Sequence, residues 1–145
     1  MSELSDEILE ILEAEAHAAL TAGWAEVRVE EAEIGLTLFL EPMKLTAAPL
    51  EVYFDSDELL VCSPGRNNMV CEFYSEDPEE IKLQVRALTL AVVQGTYSEE
   101  VKEGSIQLKG EWPGPDGTMQ RAVRDVLSIS VPGPSGWRSV SYEPY

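Results

Sequence analysis

The run Asp77-Pro78-Glu79-Glu80-Ile81-Lys82-Leu83-Gln84-Val85-Arg86-Ala87-Leu88-Thr89-Leu90-Ala91-Val92-Val93-Gln94-Gly95 carries a helix signal at both ends. Asp77 can accept from the first free amides, Pro78 fits the first helical position, and Glu80 can reach back as the other half of a capping box. Gly95 supplies the stop. Ile81, Val85, Leu88 and Val92 recur on one stripe, which a helix lying on a sheet must bury. Leu83, Ala87 and Leu90 form a second apolar stripe on roughly the opposite side. That stripe needs a cover, and the expectation is cover from within the chain, by the N-terminal helix or the C-terminal region.

Outward from this helix, the period of the apolar residues changes from 3.6 to 2. Upstream, Val27 and Val29 alternate with Glu26, Arg28 and Glu30; Ile34, Leu36, Leu38 and Leu40 follow, with Glu30–Glu33 expected as the turn between the two strands. Leu50, Val52 and Phe54 repeat the pattern, and Leu59–Cys62 and Met69–Tyr74 flank the loop Ser63–Asn68. Cys62 and Cys71 stand symmetrically about that loop, so a regular hairpin places them opposite one another. Further upstream, Ile8, Ile11, Leu12, Ala16 and Ala19 predict an amphipathic helix over Ser5–Thr21, ended by Gly23. The only histidine, His17, lies on its polar side beside Glu13 and reads as a solvated side chain. Downstream, Ser98–Glu103 reads as a polar turn or a single helical turn. Strands are expected around Ile106–Trp112, over most of 118–131, and over Trp137–Tyr142. The prediction is one α+β domain spanning 1–145, in the order α-β-β-β-β-α-β-β-β, with an antiparallel sheet of about five to seven strands and two helices packed on it.

The chain has 27 Asp and Glu against 10 Lys and Arg, a formal charge of −17. The excess is not uniform: 10 acids to 1 base in 1–33, 7 to 2 in 34–76, 6 to 3 in 77–103, and 4 to 4 in 104–145. Such a field repels nucleic-acid phosphate and anionic lipid and steers a basic protein toward the N-terminal two thirds. The expected partner is therefore a basic protein, with no direct nucleic acid and no membrane. No apolar run reaches the length of a membrane span, and the acidic start Ser2–Glu7 is unlike a secretory signal, which points to the cytoplasm. In a reducing compartment Cys62 and Cys71 read as buried thiols.

Enzyme chemistry finds no foothold. No second imidazole or nearby nucleophile assembles a triad with His17, and GxxxxGK[ST], GxGxxG, CxxC and HExxH are all missing, so no catalytic residue, metal or cofactor is nominated. The carboxylates Asp55, Asp57 and Glu58, at an expected loop tip, and Glu26, Glu30, Glu31 and Glu33 are the candidate partner-binding residues. Trp137, Arg138, Tyr142 and Tyr145 could serve contact but read first as a last strand packed on the sheet.

The segment Leu50-Glu51-Val52-Tyr53-Phe54-Asp55, with Leu88–Tyr97 (LTLAVVQGTY) followed by Ser98-Glu99-Glu100, resembles small acidic proteins encoded beside secreted polymorphic toxins in actinobacteria, mostly immunity proteins. The likeness covers about residues 34–112. It implies an immunity or antitoxin protein that acts as a toxin inhibitor by direct protein binding, and it brings no catalytic residue with it. The element order is also similar to that of small acidic dimeric secretion chaperones, from which this chain departs by ending in strand. A chaperone for a secreted effector, monomeric or homodimeric, is thus the second expectation. A nucleic-acid-mimicking inhibitor of an enzyme is the third.

Overall fold

In the computed structural model, which describes residues 2–55, 59–73, 75–102, 107–125 and 136–145, the fold is α+β. It has two antiparallel sheets in place of the one expected. The first is a meander of β1 (Ala25–Ala32), β2 (Gly35–Pro42), β3 (Leu50–Asp55), β4 (Leu60–Pro64) and β5 (Cys71–Phe73), paired in sequence order. The second takes β6 (Ser98–Lys102), β7 (Gln107–Pro113), β8 (Met119–Asp125) and β9 (Trp137–Ser141) in the order β8-β7-β6-β9. Alternation tells which side chains face a core but not which strands pair, so the division was invisible to the pattern.

The helices are α1 (Glu3–Glu15), α2 (His17–Ala22) and α3 (Pro78–Gln94). The single N-terminal helix of the prediction is divided at Ala16. The hydrogen bonds Ala16 N to Leu12 O (3.1 Å) and Leu20 N to Ala16 O (2.9 Å) carry the helical ladder across the division. Helix α3 starts where expected, with the Asp77 side chain accepting from Glu79 N at 3.0 Å and Pro78 opening the first turn. The expected capping box, however, is replaced by Ser75, whose hydroxyl accepts from Asp77 N and donates to Glu80, each at 3.1 Å. Ile81, Val85, Leu88 and Val92 are buried, as are Ile8, Ile11 and Leu12 of α1 and Leu36, Leu38, Leu40, Leu50 and Val52 of the first sheet. The ammonium of Lys82 bonds Glu7 at 2.6 Å and also reaches Glu79, which ties α3 to α1 and raises its pKa to about 12.

One row of side chains runs across all five strands on the core face: Val29, Leu38, Val52, Cys62, Cys71. Cys62 and Cys71 are thus direct cross-strand partners. Both are buried free thiols; burial pushes Cys62 up and Cys71 up to about 12, so neither is a reactive thiolate at neutral pH.

Four local expectations are corrected. The β1–β2 turn is Glu33–Ile34, not Glu30–Glu33: Ala32 pairs with Gly35, so Glu30 and Glu31 are strand residues on opposite faces and Ile34 stands exposed. Val29 is 42% exposed although it shares the core-facing parity of half-buried Val27. Ser98–Lys102 is strand β6, with Tyr97 and Glu99 buried; its many polar residues disguised a period-two pattern. Among the described residues the second α3 stripe is only partly covered, by Pro113 and Pro115 at one side: Leu83 is 51% and Leu90 37% exposed, and with Ala87 they line a shallow groove of about 220 Å³. The paired change Leu83→Glu and Leu90→Glu is therefore expected to leave the chain folded. Its cost is no more than about 2 kcal/mol, the partial burial the two leucines have. A circular-dichroism melt checks this, and loss of the transition would mean that these side chains are buried after all.

Candidate partner-binding surface

The helices cover one face of the first sheet and leave the other to solvent. Its residues follow from the register. One row holds Arg28, Phe39, Glu51 and Ser63; the next holds Glu30, Thr37, Tyr53, Val61 and Glu72; Glu26 and Glu41 lie beside the first row. Strands stand ~4.8 Å apart, so Glu30 and Glu72 lie roughly 19 Å apart across four strand gaps, with half-buried Phe39, Tyr53 and Val61 between the acids.

Five glutamates face out here against one arginine. The Arg28 guanidinium lies 4.5 Å above the Phe39 ring and donates to Glu30 and Glu41, each at 2.6 Å. Those bonds, Glu41 first, hold its pKa above the ordinary value. Exposed pairs of this kind contribute little stability, but they fix the guanidinium flat on the ring. Glu26 and Glu51 are exposed at the rim.

The nominated carboxylates do not form one cluster. Glu26 and Glu30 belong to this face. Glu31 points to the opposite face, opposite Leu36, and with Glu33 at the hairpin tip and Asp55 it lines a concavity beside Ser2 and Ser5 at the start of α1. Asp55 ends β3, where its Oδ1 accepts from Leu59 N at 2.9 Å, a turn-closing role. Asp57 and Glu58 lie outside the described residues. The face adds Glu41, Glu51 and Glu72, with Phe39 and Tyr53, which sequence reading passed over. Their signal was available, because they occupy positions alternate to the core residues of β2, β3 and β5: Phe39 and Glu41 flank Leu40, Glu51 and Tyr53 flank Val52, and Glu72 follows Cys71.

The C-terminal aromatics divide by role. Tyr142 is buried and stacks on Tyr97 with centroids 5.9 Å apart, and the Tyr145 hydroxyl donates to Ala48 O at 2.6 Å, so both are structural. Trp137 is partly exposed on β9, with the Lys109 ammonium 4.0 Å from its ring centroid. Among the described residues, no group of three or more His, Cys, Asp or Glu is arranged to hold a metal ion, and no helix is long and apolar enough to cross a membrane. Comparison with protein-family models, curated proteins and solved structures finds no match to this chain.

Proposed function

We propose that this protein is an acidic binding protein of the immunity or antitoxin kind, which neutralises a basic toxin by laying the open face of its first sheet over the toxin's cationic cleft. The observation that carries this reading is the placement of Glu26, Glu30, Glu41, Glu51 and Glu72 around Phe39 and Tyr53 with a single arginine among them. A pleated sheet presents these groups with little freedom left to lose on binding. The aromatic centre supplies contact area and the acids supply complementarity and steering. A cleft that binds phosphate already offers the Lys and Arg such a face requires.

The test is association kinetics with a cationic protein drawn from the products of genes neighbouring this one. Replacing Glu26, Glu51 and Glu72 by Gln is expected to lower the association rate at least tenfold at low salt. It should leave the melting temperature nearly unchanged, because exposed substitutions cost within ~0.5 kcal/mol each. The wild-type rate itself should fall steeply between 0.01 and 0.15 M salt, as the Debye length shrinks from ~30 to ~8 Å. An association rate indifferent to both changes would remove the sheet face from the interface. The partly covered Leu83, Ala87 and Leu90 groove favours a second reading, a secretion chaperone that uses α3 to meet another chain. Loss of binding in the Leu83→Glu, Leu90→Glu variant, with the triple Gln variant unaffected, would select that reading.

A further inference from the structure

Glu99 is 2% exposed on the inward side of β6, where alternation calls for an apolar residue. Its Oε1 accepts from the Tyr142 hydroxyl and from Asn67 Nδ2 (3.3 Å). The backbone of Gly65 passes so near that a β-carbon there would lie 2.8 Å from Oε1. Oε2 and the buried Tyr97 hydroxyl beside it meet no partner at full hydrogen-bond geometry among the described residues, although the two lie near enough for the hydroxyl to favour the ionised carboxylate weakly, less than the Tyr142 and Asn67 bonds do. The titratable neighbours are Tyr97 on the approach to β6, Cys71 on β5 and Tyr142 in the C-terminal segment. On β7 and β9 the residues opposite are Gly110 and Val140, which do not titrate. Two cations touch the network through the 65–68 loop: Arg66 gives its amide to the Tyr142 oxygen at 2.9 Å while its guanidinium is engaged by Ala47 O (3.2 Å) and Lys44 O (3.3 Å), and the Arg124 guanidinium on β8 donates to Asn68 O. No Lys or Arg among the described residues pairs with the Glu99 carboxylate.

The segment after β9 straps the fold together. Glu143 N donates to Thr46 O (2.9 Å), Tyr145 N donates to Val93 O (3.0 Å), and Tyr142 joins the strap to Glu99 and to the loop before β5. We propose that Glu99 is a proton-controlled clamp on this strap: protonated, it ties Tyr142 and the 65–68 loop to β6, and ionised, it loosens both. With a proton on Oε2, the carboxyl gains a donor that can turn to the Tyr97 oxygen, and Oε1 keeps its two incoming bonds. Without it, a full charge lies in an apolar interior, with hydrogen bonds but no cation. Burial, the largest influence on Glu99, outweighs those hydrogen bonds and raises its pKa. The folded chain therefore holds this proton to higher pH than the unfolded chain does. The associated stability is complete below the unfolded pKa of ~4.3 and is lost as pH rises through the folded value.

Thermal melts of wild type and Glu99→Gln from pH 4 to 8 test this. The amide copies the protonated group, so the two should melt together near pH 4, and the variant should melt progressively higher toward pH 8. Each tenfold difference in proton affinity between folded and unfolded chain moves the melting point by roughly 3–5 °C. Amide exchange over Ser141–Tyr145, corrected for intrinsic rates, should quicken with pH in wild type and not in the variant. A carbon-13 carboxyl titration of wild type, which needs no variant to fold, should place the Glu99 midpoint above the ordinary glutamate range. A midpoint at or below ~4.3 overturns the clamp. So does a Glu99→Gln protein that is less stable than wild type at neutral pH.

Discussion

Leu38→Ala is expected to lower stability by about 3 kcal/mol and the melting point by about 10 °C, whereas Val29→Ala, its direct cross-strand partner, should change stability by less than ~1 kcal/mol. The two residues look alike in sequence, each an aliphatic position within a period-two strand. The register places them side by side on the same face of the first sheet. Leu38 has no exposed surface and Val29 is 42% exposed. Truncating Leu38 leaves a cavity in a row closed by Val52 on its other side and by the buried helix residues Ile8, Ile11 and Leu12 in the same core. Truncating Val29 only moves a solvated edge. Chemical denaturation of both variants measures the difference. Equal losses would mean that the helices extend over β1 and that its outer half belongs to the core.

That comparison shows how far the pattern could be read. The capped helix over 78–94, the period-two strands that follow the N-terminal helix, and the pairing of Cys62 with Cys71 were legible, because each is set by local chemistry: a cap, a period or a turn. The α+β class was legible for the same reason. What escaped was decided at a distance. Whether Val29 or Leu38 is inside depends on what lies over each strand of the sheet, and whether β6 joins β5 or β9 depends on how the chain leaves α3. Glu99 escaped for a subtler reason: acidic residues in a short polar run look like a turn, and only the tertiary fold shows that one of them faces inward. The acidic face lay between these cases. Its charge excess and two of its members, Glu26 and Glu30, were readable, but Glu31 and Glu33 were grouped with them by proximity in sequence, and Asp55 was placed with Asp57 and Glu58 at a loop tip. Strand parity assigns Glu31 to the other side, and the register puts Glu33 at the hairpin tip and Asp55 opposite Gly35 beside it, so these three share a place away from the sheet face.

Gly95→Ala is expected to cost about 3 kcal/mol and roughly 10 °C, and most of that loss should come from the C-terminal strap and not from the helix it ends. Gly95 closes α3 at φ 73°, in the left-handed region that an alanine enters at a cost of ~1 kcal/mol. A β-carbon there would also meet Pro144 N at 2.7 Å and Tyr142 O at 2.9 Å. Backbone cannot swing aside as a side-chain tip can. The strap must therefore lift, straining the bonds of Glu143 N to Thr46 O, Tyr145 N to Val93 O and the Tyr145 hydroxyl to Ala48 O, each contributing ~1 kcal/mol. Gly23 supplies the control, because it ends α2 at φ 77° with nothing within 4 Å of the added carbon. Gly23→Ala should show the conformational cost alone, ~1 kcal/mol. Melting curves of the two variants, with amide exchange over Ser141–Tyr145 followed beside circular dichroism, separate the contributions. Equal losses at Gly95 and Gly23 would show that the strap yields freely, and that the backbone contact at Pro144 contributes nothing to holding it.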